Sequence, residues 1–190
     1  MIEDYPRTVG IGFKAGGDAL WIIGDRTHGS SQLGQSLWLR EAQGLESGTP
    51  PKVDLAAERK NGEFVRGLID RGEVNAVHDV SDGGLAVCLT EMALSGQVGC
   101  EVRRHYTSDA WYFSEMQGCY VVALPGRWSF EESTKFAQEA VDAGIVATAL
   151  GVVGGDRIIL RDDENAKIAD IPLADLRAAN ERFFREWMDV

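Results

Sequence analysis

The 190-residue sequence predicts an α/β or α+β layered domain, a mixed sheet with helices packed on it. Three observations lead there. Short apolar runs of strand length alternate with longer stretches whose apolar residues recur at helical spacing. Several connections between them are too short for the crossovers that parallel strands require, so antiparallel pairs are expected. The composition, 44% hydrophobic and 26% charged, is that of a globular chain, and no apolar run approaches the roughly 18 residues of a membrane span.

Residues 8–13 (TVGIGF) and 18–24 (DALWIIG) predict two strands joined as a hairpin around KAGG, with Gly16 and Gly17 supplying positive φ. Residues 1–17 are read as a connecting segment, and residues 18–190 as the domain proper. The polar loop DRTHGSSQLGQS becomes a short helix near Gln35, carrying Leu37, Trp38 and Glu41, and Gly44 offers its stop. ESGTPPKVD is a connector, because adjacent prolines suit neither a helix interior nor a central strand. Asp54 is positioned to cap a helix over 54–71, whose buried face would hold Leu55, Phe64, Val65, Leu68 and Ile69.

EVNAVHDV (73–80) reads as a strand. Residues 84–95 follow as a helix with Leu85, Cys88, Leu89, Met92 and Ala93 in one apolar stripe. GCEVRR is a strand, a less regular stretch runs to Glu115, and GCYVVALP is a strong buried strand. Ser129 with Glu132 three residues later has the form of a capping box for a helix over 129–143. IVATALGVVGG and RIILRD are two further strands and KIADI a candidate edge strand. Pro172 would open a final helix with Leu173, Leu176, Phe183, Phe184, Trp187 and Met188 gathered on one side.

The charge balance excludes one class of function. Thirty acidic against nineteen basic residues give a net charge of -11, which repels phosphodiester backbones, so no nucleic-acid partner is expected. No membrane association is expected either, and the N-terminus, with Glu3 and Asp4, lacks the apolar core of a secretory signal. Cys88, Cys100 and Cys119 are spaced too widely for a zinc knuckle or a redox pair. They read as small buried hydrophobes in a reducing, cytoplasmic compartment.

The chemistry-bearing candidate is VHDVSDGGLAVCLTEMALSG, residues 77–96. A strand ending at Val80 and a helix starting near Gly84 leave a four-residue elbow, SDGG, into which the helix's first unpaired N–H groups point. Either the side chain of Ser81 or Asp82 accepts from them, or an anion does, which Gly83 and Gly84 would let approach closely. Asp79 and Asp82 would repel a phosphate unless a cation lay between. His78 and Asp79, on adjacent strand positions, should face opposite sides of the sheet and so form no catalytic pair. HGSSQLGQS (28–36) has the composition of an anion-binding loop without the lysine of a P-loop, and also reads as an ordinary loop. FSEMQG, with Ser114, Glu115 and Gln117, reads as a solvated approach to the strand after it. No GxGxxG, HExxH, GxSxG or metal-spaced Cys/His set occurs.

HDVSDGGLAVCLTEMA resembles the signature of the C-terminal domain in the aminoimidazole-ribonucleotide-synthetase superfamily of ATP-using enzymes. Its form is most similar to that of the phosphoribosylformylglycinamidine synthase family. THGSSQLGQSLWLRE is similar to that family's LGGS-type loop, with Gln35 where a second glycine is common. FSEMQGCYVVAL is similar to FSESQGRYVV, with Met116 and Cys119 as departures. The resemblance implies a sheet domain distantly like a ferredoxin fold. It also implies a place in an ATP- and magnesium-dependent ligase that turns an amide into an amidine with glutamine-derived ammonia. A glutaminase subunit, a small accessory subunit and the enzyme's own N-terminal domains would be the partners.

The family's catalytic histidines, most magnesium carboxylates and nucleotide-gripping residues lie in those earlier domains, so this chain would be the C-terminal piece. No catalytic or metal-ligating residue can be carried onto it, and no nucleotide is expected to bind it tightly. Two loops carry over, Asp79 with Ser81, Asp82, Gly83 and Gly84, and Gly34 with Gln35 and Ser36, as a phosphate-binding or interdomain surface. Two rival readings remain. A stand-alone ATP-dependent kinase or synthetase would need a gripping lysine, yet Lys14, Lys52 and Lys60 lie outside any glycine-rich loop. An interaction domain would expose an apolar patch, for which Trp21, Trp38 and Trp111 are candidates.

Overall fold

The structure, a computed structural model, describes residues 8–25, 32–103, 108–126 and 130–188, with the side chain of Phe130 excepted. Among the described residues seven strands form one sheet: β1 (Ala19–Ile23), β2 (Ala76–Asp79), β3 (Cys100–Arg103), β4 (Tyr120–Leu124), β5 (Ala147–Val153), β6 (Arg157–Arg161) and β7 (Lys167–Pro172). Their order across the sheet is β2-β4-β1-β5-β3-β6-β7. β3 and β6 are parallel and the other neighbours antiparallel, so the sheet is mixed as the short connections predict.

Six helices among the described residues cover it: α1 (Leu37–Gln43), α2 (Leu55–Asp70), α3 (Gly84–Gly96), α4 (Asp109–Phe113), α5 (Phe130–Asp142) and α6 (Leu173–Met188). The period-2 alternation of the central strands builds a core on each face. Leu20, Ile22, Val121 and Ala123 meet Leu85, Cys88, Leu89 and Met92 of α3 and Trp111 of α4 on one side. Trp21, Ile23, Val122 and Leu124 meet Val65 and Leu68 of α2 and Phe136 of α5 on the other. No helix among the described residues is long and apolar enough to cross a membrane.

Several expectations change on contact with the structure. Residues 8–13 form no strand, and the hairpin is absent. β1 is flanked by β4 and β5, leaving no edge for a hairpin partner. The preceding segment instead crosses the layers, with Phe13 buried and its N–H donating to the Met92 carbonyl at 3.1 Å. Of the turn glycines, Gly17 has positive φ and Gly16 does not. Leu55 is 75% exposed because the buried face of α2 is set by Asn61, Val65 and Leu68, one turn and more further on. The irregular stretch before Glu115 contains α4, capped by the Ser108 side chain, which accepts from the Trp111 N–H. Ser129 lies outside the described residues.

Pro172 closes β7 rather than opening α6, a position an edge strand tolerates because no ladder N–H is required there. The apolar side of α6 is buried only in its first turns, at Leu173 and in part Leu176. Phe183, Phe184, Trp187 and Met188 are all more than half exposed. Trp21 and Trp111 are core residues, and Trp38 stacks on Phe113 with ring centroids 6.0 Å apart.

The three cysteines are buried and reduced, as expected. Burial pushes the Cys100 thiol up to about 12. Ellman's reagent at pH 8 is therefore expected to find no reactive thiol in the folded chain and three after denaturation. Modification of even one thiol under native conditions would contradict this packing.

Candidate functional site

The elbow between β2 and α3 forms where the sequence places it, but its bonding differs. Gly83 is the N-cap of α3 at φ 76°, with no side-chain cap bond, so neither Ser81 nor Asp82 takes the N-cap position. A backbone turn closes the elbow, with the Gly84 N–H donating to the Ser81 carbonyl at 3.0 Å. The Gly83 N–H donates to Glu115 Oε1 at 2.8 Å. That same oxygen accepts from the Leu37 N–H, the first residue of α1, also at 2.8 Å. One carboxylate oxygen thus holds both candidate loops at the places where backbone donors lack intrahelical partners.

The 34–36 loop is built to support this junction. Ser36 caps α1, its hydroxyl accepting from the Leu39 N–H at 3.2 Å and donating to the Leu33 carbonyl at 2.7 Å. Gln35 has φ 61°, a left-handed conformation that glycine adopts without penalty. Gly34 runs against the 47–49 segment so closely that a Cβ would stand 2.3 Å from the Thr49 carbonyl oxygen. The cleft lined by Gln35, Ser36, Arg40, Leu45 and Glu46 is only about 110 Å³, well below the volume of a ligand site that encloses a nucleotide.

His78 and Asp79 depart from their predicted separation. His78 Nδ1 lies 3.1 Å from Asp79 Oδ1, and Nε2 lies 3.0 Å from Glu91 Oε2. At the last residue of a strand the side chain is free to fold back, so opposite faces do not keep neighbours apart. The Asp79 carboxylate is thereby engaged beside the elbow. Opposite it across the β2–β4 ladder, the Tyr120 phenol is pushed above its ordinary range by burial and by the Glu58 and Asp79 carboxylates. Among the described residues no three His, Cys, Asp or Glu side chains are grouped to hold a metal ion. Lys60 donates to the Gly144 carbonyl at 2.8 Å.

Glu115, which the sequence suggests as part of a solvated approach to β4, is instead the acceptor at this junction. The signal available was a lone carboxylate set between the aromatic run WYF and a buried strand, where a solvated charge has little reason to be. Asn61, buried on α2, is a residue that sequence reasoning passed over, its amide donating to the Gly118 carbonyl at 2.8 Å.

The sequence profile of the family described as AIR synthase related protein, C-terminal domain, matches residues 15–163, which include both loops and Glu115. The chain belongs to this family. Within the AIR synthase related C-terminal domains, two relatives are both described as phosphoribosylformylglycinamidine synthase subunit PurL. The protein from Erythrobacter litoralis is 43% identical over the whole chain, and that from Novosphingobium aromaticivorans is 46% identical. The chain spans about a quarter of the length of these curated relatives, 25% and 22%. Among solved structures, Thermotoga maritima PurL complexed with FGAR has the same fold over 90% of this chain and 30% of its own, with a TM-score of 0.70 at 17% identity. β7 and α6 lie beyond the matched family segment, which ends at residue 163.

Proposed function

We propose that this chain serves as the C-terminal domain of a phosphoribosylformylglycinamidine synthase. In that enzyme ATP activates the amide oxygen of formylglycinamide ribonucleotide, and ammonia released from glutamine displaces it. Magnesium would neutralise the triphosphate, held by residues of other domains, since no ligand set occurs among the described residues here. A glutaminase subunit and a small accessory subunit would be the partners and the cytoplasm the compartment. The identity to synthase subunits across the full chain supports the assignment. Its role would be to present the Ser81–Gly84 elbow and the Gly34–Ser36 loop as one surface for the rest of the enzyme. The observation that carries this is the shared Glu115 oxygen, which presents both loops together while filling their amides from within.

Two measurements test the reading. Calorimetry of the chain with magnesium-ATP is expected to show no micromolar binding; tight binding with turnover would mean that the chain holds a complete site. Exchanging this chain for the corresponding quarter of the Erythrobacter relative should retain ATP- and ammonia-dependent amidine formation. A folded, soluble chimera without that activity would overturn the assignment.

A further inference from the structure

We propose that Glu115 is a positioning residue that couples the two loops mechanically, so that loosening one loosens the other. The distinctive observation is that the two bonds share an atom. Both the Leu37 and Gly83 amides donate to Oε1 at 2.8 Å, so any movement of one loop that carries the carboxylate with it changes the other's bond as well. The frame around the carboxylate is tight. On one side, Trp38 of α1 stacks on Phe113, two residues before Glu115. On the other, Gly84 lies directly against the backbone of Tyr112 and Phe113, where a Cβ would approach within 2.7 Å. The segment from α4 to Glu115 is therefore packed between the two loops, and a shift of either loop presses on the backbone that carries the carboxylate. Loops 78 and 32 residues away from this carboxylate in sequence are thereby linked through one acceptor atom.

The coupling stands on this geometry alone. Its use, passing contact at one loop to the other when further domains dock, rests on the function proposed above. The test therefore reads the coupling directly in the chain, with no activity assay, so that it fails separately from that reading.

Amide exchange followed by NMR provides the readout, with the perturbation placed on one loop and observed on the other. Ser36→Ala removes the cap of α1 without touching the elbow. Loss of such a cap quickens local opening by about fivefold, and the Gly83 amide is expected to exchange faster by up to that factor. In a Glu115→Ala background the Gly83 amide should already exchange fast, and adding Ser36→Ala should change it no further. Glu115→Gln keeps an acceptor oxygen in place and should preserve the transfer in weaker form; it also carries the comparison should Glu115→Ala fail to fold. Faster exchange confined to Leu37–Arg40, with Gly83 unmoved, would overturn the proposal. So would an effect on Gly83 that persists undiminished without the Glu115 carboxylate.

Discussion

Gly84→Ala is expected to destabilise the fold by about 4 kcal/mol, from two effects that add at one position. Gly84 has φ 70°, a conformation that costs an L-residue roughly 1–2 kcal/mol. The new Cβ would also stand 2.7 Å from both the Tyr112 carbonyl oxygen and the Phe113 carbonyl carbon. These are backbone atoms of a helix end pinned by core residues on both sides, so relief requires moving α4 or the elbow, at about 1–3 kcal/mol. Urea unfolding measures the sum as a shift of midpoint at constant slope. Gly154→Ala is the control, since a Cβ there meets nothing within 4 Å and its φ is not positive. It should be neutral or slightly stabilising. A loss at Gly84 no larger than that at Gly154 would mean the elbow is not pressed against α4.

The second large effect is expected at Asp18, which is 1% exposed just before β1. Its carboxylate accepts from the Gly126 N–H at 2.7 Å with Oδ1 and from the Asn75 side-chain amide at 2.8 Å with Oδ2. It thereby ties the ends of β4 and β2 to the start of β1, the three strands nearest the elbow's edge of the sheet. Asp18→Ala leaves both donors without this acceptor in a site with little access to water. Losing charge-assisted bonds of this kind costs about 3 kcal/mol. For a chain of this length that corresponds to a fall in Tm of about 6–12 °C. Asp18→Asn keeps the volume but turns one acceptor into a donor facing another donor, so it should recover little of the loss. Full recovery by asparagine would show that shape rather than acceptance matters at this position.

The parts of this fold that could be read from sequence are those fixed by local chemistry. Asp54 accepts from the Ala56 and Ala57 amides as its position before α2 implies. The α3 stripe at Leu85, Cys88, Leu89, Met92 and Ala93 is buried throughout, because its period alone decides which side meets the sheet. The location of the elbow follows from the strand–glycine–helix order. What fills it does not, because Glu115 arrives from 32 residues further along the chain and its other partner, Leu37, lies 78 residues before it. Strand TVGIGF failed for a similar reason: its apolar pattern is satisfied by burying Phe13 across α3, and only the sheet order reveals that β1 has no free side. The helical period of α6 was legible, but a period states which residues share a face and not what that face meets. Its last turns therefore carry exposed aromatic residues where burial was expected.

The sealing of all three sulfur atoms inside the protein has a practical use beyond packing. A cysteine placed at exposed Gln117, beside the junction of the two loops, would be the sole handle open to a maleimide dye or spin label. Environment and distance could then be followed there without first stripping the native sulfhydryls, and so without disturbing the interior that gives the chain its shape.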